Sequence, residues 1–564
     1  SPPRPPDMAD WDATFDVVLV GSGGGGMVGA LAAAESGAST LVIEKQDKVG
    51  GSTCMSGGIV WVPNNQVMLD AGESDSYEDA LLHFDTVVGD VGACSSLARR
   101  DAFLTAGPDM VTFLVDRGVR FMYCRGYSDY YSNLKGGHDV GRGIEPVPFN
   151  GNVLGPWLPK LQPGLAQSLG LSVMTNEARS LSNFNRSLRA FAVSARVVLR
   201  TTAARLRRRS LLTNGASLIA QTLQIALARG VTVWTGAPLE ELIVEDGRVV
   251  GVRTVQDGVP VRVEARRGVL LAAGGFAHNA EMRQQYGGEQ PNKGKWTMSN
   301  PGDTGEVIRT AMDLGAKTDL MDEAWWLPSP RTGRFAQSTL DQARQRPRTI
   351  YVDAAGRRFV NESNSYMEVG KAMYARDKTS KAVPCWLIFD DRYRKRYAHQ
   401  RSRPGHFPKS LRESGLLKQA PTLEALAREC EIDPDGLLET VDHFNEHARQ
   451  GRDPDYGRGE SAYNLALGDP NHKVHPCLGP IDEAPYYAVQ VLPGDIGTCG
   501  GLLTNEHAQV IGQDDEPIAG LYATGNGTAT VMGRHYLGPG ASIANTMVFG
   551  YVAARHAMGR APTG

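Results

Sequence analysis

The sequence predicts an α/β fold in which a parallel-sheet domain is interrupted by a long α+β insertion. Three observations carry this. A short strand, a glycine cluster, an Ala-rich helix and a second strand follow one another within residues 15–44. Further strands running into small-residue turns occur at 268–275 and 520–526, so one sheet draws on both ends of the chain. Between them, residues 299–498 are punctuated by Pro328, Pro330, Pro347, Pro384 and Pro404 and hold helix-like stretches at 423–428 and 437–447.

With 41% hydrophobic and 21% charged residues among 564, the chain can bury a substantial core, which excludes disorder throughout. A net charge of −3 advertises no nucleic-acid partner. The seven cysteines include no C-x-x-C pair, which argues against a disulfide framework or a metal site and for a reducing cytoplasm. No uncharged apolar run reaches about 18 residues, so no membrane-spanning helix is expected. The Pro-rich first six residues lack an apolar signal region and read as disordered.

The elements follow in order. Phe15 to Val20 is a β-branched run that reads as a buried parallel strand. Gly21, Ser22, Gly23 and Gly26 lie in the turn that opens the helix over 27–36, which Gly37 stops. Residues 39–44 form a second strand ending in Glu44. In such a unit the glycines permit a tight turn and close backbone approach, and the helix N-terminus meets a pyrophosphate. Glu44 is placed to accept hydrogen bonds from ribose hydroxyls. A glycine-rich surface turn, the alternative, leaves this order of elements unexplained. A second small-residue cluster, with Gly51, Ser52, Thr53, Ser56, Gly57 and Gly58, suggests a ligand wrapped twice and favours FAD, expected to be held non-covalently, over NAD. Ala273, Gly274 and Gly275 end one later strand, preceded by a hairpin around 245–248; Gly525 and Asn526 end the other. Asn279, Asp303, Ser542 and Ile543 complete the expected cofactor contacts. The fold class is thus a Rossmann-type FAD-binding domain (10–298 and 499–564) interrupted by a substrate-capping α+β domain (299–498).

Several stretches resemble the 3-ketosteroid Δ1-dehydrogenases of the succinate dehydrogenase/fumarate reductase flavoprotein group. They are Asp129-Tyr130-Tyr131, Asn361-Glu362-Ser363-Asn364-Ser365-Tyr366 with Gly370-Lys371-Ala372-Met373, residues 493–501, and Tyr536-Leu537-Gly538-Pro539-Gly540. The resemblance spans nearly the whole chain except a segment near 155–215. It implies active-site roles for Tyr130, Tyr366, Tyr536 and the Gly540 amide, a 3-ketosteroid substrate, and an external electron acceptor such as a quinone or an artificial dye. One departure is Cys499, where many members carry Lys.

The implied chemistry suits these residue types. A double bond between carbons 1 and 2 beside a 3-ketone requires loss of a carbon 2 proton and a carbon 1 hydride. Donors aimed at the developing enolate make that proton removable. A tyrosinate is basic enough, because the free phenol pKa is about 10; the expectation is that nearby positive potential lowers it. The hydride passes to flavin N5. Against this, the chain has 18 tyrosines, and a tyrosine is more often a half-buried packing residue. His278 and His535 read as structural, and Met532, Met547 and Phe549 as core. Three rivals stay open: a 4-ene-forming relative, a fumarate-reductase-like flavoprotein needing an Arg/His clamp on a dicarboxylate, and a flavin electron-transfer partner.

Residues 178–239 hold ten arginines and no acid. On a helix, Leu188, Phe191, Ala195, Val198, Leu199, Thr202 and Leu206 share a face beside a stripe of Arg189, Arg196, Arg200 and Arg207. With Trp157, Leu158, Leu161 and Leu165 upstream, the 153–215 region reads either as an anionic membrane-surface element at the inner face of the cell membrane or as a helix packed on the protein with a solvated Arg face.

Overall fold

A computed structural model describes residues 11–164, 170–287, 294–332, 335–336, 343–399, 403–407 and 409–560. The Pro-rich first six residues and Leu165 lie outside the described residues.

The strand Ala13–Val20 is buried from Val17 onward, as its β-branched run requires. It pairs in parallel with Thr40–Glu44 on one side and Val259–Leu271 on the other. Thr232–Thr235 and Pro517–Ala523 continue the parallel order outward. The register aligns Val20 with Ile43 and Leu271, and Leu271 with Ala523. These parallel strands therefore end in one row, and the turns that follow them converge on one edge, where α/β sheets bind ligands. The expected hairpin joins Glu241–Glu245 to Arg248–Gln256; Asp246 (φ 48°) and Gly247 (φ 75°) supply the left-handed pair that a two-residue turn demands.

Helix Gly24–Glu35 is buried from Gly24 to Ala33 and lies on helix Ala541–Ala557 at small residues: a Cβ on Gly550 would sit 2.3 Å from the Gly25 carbonyl oxygen. Met532, Met547 and Phe549 belong to the same core. After helix Glu306–Asp313, whose Val307, Ile308 and Ala311 pack on the first sheet, the chain builds a second, antiparallel sheet from strands between 324 and 498. Helices Leu423–Cys430 and Pro434–Ala448 cover one face of that sheet, and Tyr366–Asp377 packs on the other.

Residues 151–210 form an excursion closed by pairing of Phe149–Asn150 with Leu211–Leu212. Its helix Leu188–Leu206 is capped by the Ser187 side chain. The helix buries a narrow face of Ala190, Val197, Thr201 and Ala204, with Val197 packed against Val173, Leu171 and Leu181. Arg200 makes a two-pronged ion pair with Glu177. The apolar stripe points the other way: Leu188 is 90% exposed, Phe191 61%, Leu199 69% and Leu206 81%. A helix packed through that stripe would bury it; this one buries its small residues instead. Trp157, Leu158 and Leu161 do not extend the surface element. Leu161 is in the main core with Trp157 and Leu158 against it, because the preceding turns fold back onto helix Asn214–Ala228. No helix among the described residues is long and apolar enough to cross a membrane.

Candidate active site

A cavity with about 740 Å³ of space runs along the edge where the strands end. Of the residues expected to contact the cofactor, Gly21, Ser22, Gly23, Glu44, Gly51, Ser52, Thr53, Ala273, Gly274, Asp303, Gly525 and Asn526 line it. Glu44 is fixed by the Ser22 hydroxyl (2.6 Å), the Ser22 amide (3.1 Å) and the Gln46 amide (2.9 Å), which leaves acceptor capacity free. Gly23, before the first helical turn, offers no side-chain cap. A Cβ there would meet only Thr53 Oγ1 at 3.8 Å, so a side chain would have room within the protein and would project into the cavity. Asn300, which the sequence reading missed, also lines the cavity and has a buried Nδ2 without a partner. Glycine approach, an uncapped helix N-terminus, a fixed carboxylate and an orphan amide donor together fit a dinucleotide. Burial pushes the Asp303 carboxyl up to about 7 despite its bond from Ser52 Oγ.

Three predicted contacts sit behind the wall rather than in it. Gly26 carries the close packing of helix on strand, since a Cβ there would lie 2.0 Å from the Gly21 carbonyl oxygen. Gly275 clears Thr498 Oγ1, which a Cβ would meet at 2.1 Å. Asn279 spends its side chain on Thr304 O and Met282 N.

A second, larger cleft of about 1740 Å³, partly open to solvent, shares Ser52, Thr53, Asn526 and Thr546 with the first. Ser56, Gly57, Gly58, Ser542 and Ile543 line this cleft, and Tyr130, Tyr366, Tyr536 and Gly540 meet in it. The Tyr130 and Tyr366 rings lie 5.2 Å apart, Tyr366 and Tyr536 5.2 Å, and Tyr130 and Tyr536 5.5 Å. The Tyr130 and Tyr366 hydroxyls are 3.3 Å apart, and the Tyr536 hydroxyl is 2.9 Å from Ser542 Oγ.

Each motif explains how its tyrosine is held. Asp129 is buried, pairs with Arg142 at 2.5 Å and accepts from Trp61 Nε1 at 2.7 Å, while the Tyr130 amide donates to Leu537 O. Glu362 accepts from Arg358 at 2.8 Å, and Asn361 donates to Asn464, so the loop ahead of Tyr366 is locked. Tyr366 itself opens helix Tyr366–Asp377. Gly540 (φ 88°) begins helix Ala541–Ala557, and a Cβ there would strike the Ile59 carbonyl oxygen at 2.1 Å. His278 and His535 serve Ser299 O and Glu368, as structural histidines. Cys499 is buried near Glu323 and Lys371, and nothing in the structure explains its replacing a Lys.

Sequence reasoning missed Tyr463, whose ring is 4.6 Å from Tyr130, and Trp325, edge-on to Tyr536 at 4.8 Å. Neither lies in a glycine or proline turn that would have marked it. The expected lowering of the phenol pKa is also corrected. Burial, the largest influence, pushes Tyr130 and Tyr366 well above 10, and Tyr536 is raised too.

A family model for an FAD binding domain matches residues 16–543. The 3-oxosteroid 1-dehydrogenase of Mycobacterium tuberculosis (strain ATCC 25618 / H37Rv) is 41% identical over 96% of this chain and 98% of its own length. The chain belongs to the 3-oxosteroid 1-dehydrogenase family of FAD-binding flavoproteins. The family's 3-oxosteroid 1-dehydrogenase from Mycolicibacterium smegmatis is 40% identical, covering 96% of both chains. A crystal structure of 3-ketosteroid delta1-dehydrogenase from Sterolibacterium denitrificans in complex with 1,4-androstadiene-3,17-dione matches with a TM-score of 0.90 at 37% identity, covering 97% of this chain and 99% of that one. The cofactor is therefore FAD.

Proposed function

We propose that this chain is an FAD-dependent oxidoreductase that introduces the carbon 1–carbon 2 double bond of 3-ketosteroids. The observation that carries the reading is the meeting of three phenols and a helix N-terminus in an apolar cleft that shares a wall with the FAD cavity. Gly21, Gly23 and the amides of the first helix would hold the pyrophosphate, and Glu44 the ribose, without a covalent bond. FAD, when bound, supplies the hydride acceptor for carbon 1. Tyr366, as the phenolate, takes the carbon 2 proton, and Tyr130 passes that proton on through its hydroxyl. The Tyr536 hydroxyl and the Gly540 amide donate to the ketone oxygen as enolate charge develops. Gly540 adds the positive end of a 17-residue helix without a charge that would need desolvation.

Arg179 and Arg344 also line the cleft, but among the described residues no histidine joins them to complete a dicarboxylate clamp. That disfavours fumarate-like chemistry. Incubation with a 4-ene-3-ketosteroid and an artificial acceptor tests the assignment: the product should be the 1,4-diene, two hydrogens lighter. A product changed only between carbons 4 and 5 would contradict it.

Three further results are expected. Tyr536→Phe should lower turnover by about 10²–10³, the usual worth of one oxyanion donor, leaving Gly540 alone at the ketone. Tyr130→Phe should cost less, since water can bypass a relay. Turnover should also climb with pH. The base acts deprotonated and its pKa is raised, so the active fraction grows through the neutral and alkaline range. A rate that is flat from neutral to alkaline pH would contradict a phenolate base.

We also propose a cytoplasmic enzyme whose outer face of helix Leu188–Leu206 rests on the anionic inner face of the membrane, close to a quinone acceptor. Exposed Leu188, Phe191, Leu199 and Leu206 supply burial, and each flanking Arg adds about 1 kcal/mol near such a surface. The enzyme should float with anionic liposomes at low salt, and the double variant Phe191→Asp/Leu199→Asp should not. Absence of any lipid-dependent shift in the parent would refute this.

A further inference from the structure

A buried cation stands beside the tyrosine cluster. Arg344 is 7% exposed and lines the steroid cleft. Its Nη1 donates to the carbonyls of Glu362 and Asn364, the latter at 2.7 Å, just ahead of Tyr366. The Glu362 carboxylate is turned away, to Arg358 at 2.8 Å and Arg458 at 3.3 Å. Among the described residues no carboxylate pairs with Arg344. Carbonyl dipoles only partly offset the cost of burying a guanidinium, and a site of this kind favours an anion. Next to it, Gln345 is 3% exposed.

The groups facing Arg344 are phenols. Arg344 and Gln345 lie by the Tyr463 hydroxyl, Tyr463 packs on Tyr130, and Tyr130 meets Tyr366 hydroxyl to hydroxyl at 3.3 Å. Other charges around the cluster are Arg179, over the Tyr127 ring at 4.6 Å, and Glu368, which accepts from Tyr131 and pairs with His535 and Lys371.

We propose that Arg344 is the counter-ion of the tyrosine cluster, a positioning residue that stabilises the negative charge the base carries before it takes the carbon 2 proton. This rests on Tyr366 being the base. The electrostatics run the same way: burial raises Tyr130 and Tyr463, and Arg344 pulls both back down. No bond forms or breaks at Arg344. It shifts the balance between phenol and phenolate through space, along Tyr463 and Tyr130.

The test is the pH profile of kcat/KM for a neutral 3-ketosteroid in FAD-loaded R344Q, R344M and R344K. In both neutral variants the rising limb should move up by about one pH unit or more, a tenfold loss near neutral pH that is recovered in alkali. R344K should restore most of the neutral-pH rate, and ultraviolet tyrosinate absorbance should shift with the limb. R344M keeps the apolar stem and serves if R344Q does not fold. A uniform loss at every pH, equal in R344K, would overturn the proposal and leave Arg344 as a brace for the 362–364 loop. So would an unshifted profile with a raised KM only for a ketosteroid bearing a carboxylate, because the anion would then be the ligand's. Tyr366→Phe run alongside separates the two claims. Parent-level activity there sinks the base assignment, whereas an inactive Tyr366→Phe with an unshifted R344Q sinks only the counter-ion.

Discussion

Tyr366→Phe should reduce turnover by about 10²–10⁴ while FAD content and steroid binding persist. The substitution removes one oxygen and keeps a ring that packs 5.2 Å from both Tyr130 and Tyr536. The anchor of the site does not depend on that hydroxyl. Arg358 holds Glu362, Asn361 bonds Asn464, and the helix Tyr366–Asp377 buries Met367, Val369 and Met373. What disappears is the hydroxyl proposed as the proton acceptor, with its 3.3 Å contact to Tyr130. Steady-state rates with steroid-dependent flavin bleaching read the loss, and thermal unfolding checks that the fold is intact. Flavin reduction at the parent rate would mean that the base is another residue.

Gly23→Val should yield a folded protein without FAD. A Cβ at Gly23 meets nothing closer than Thr53 Oγ1 at 3.8 Å, and its φ of −69° suits any residue. The added methyls therefore occupy ligand space and not protein space. Gly26→Val offers the contrast. Its Cβ would lie 2.0 Å from the Gly21 carbonyl oxygen, so that variant should lose the fold along with the cofactor. The flavin spectrum of the purified proteins and far-ultraviolet circular dichroism separate the two outcomes. Parent-level FAD in Gly23→Val would show that the dinucleotide does not approach this turn. Acid precipitation of the parent should release free flavin, as non-covalent binding requires.

The FAD cavity was legible because its signals are local. Gly21 to Glu44 is one unbroken unit, and the hairpin at Asp246-Gly247 follows from turn chemistry alone. The tyrosines were found through motif stretches whose polar neighbours prove to be their anchors, Asp129 on Arg142 and Glu362 on Arg358. Tyr463 and Arg344 were not found, since each reaches the site by long-range packing that leaves no mark on its own neighbours in sequence. The direction of the phenol pKa was misjudged for a related reason. Positive charge can be counted in a sequence, but the desolvation that outweighs it depends on how the rings close on one another. The 188–206 helix shows the limit of periodicity. Its apolar stripe was read correctly, yet the face that packs is the narrow one of Ala190, Val197, Thr201 and Ala204, where small side chains allow close approach.

Ketosteroid oxidation should drain into the bound FAD through this tyrosine site. Anaerobic titration of the FAD-loaded enzyme with a 4-ene-3-ketosteroid tests this. The flavin should bleach in proportion to the steroid added, with one 1,4-diene formed per FAD reduced. A flavin that stays oxidised with ketosteroid, or one that exchanges electrons with a dicarboxylate pair instead, would contradict the assignment.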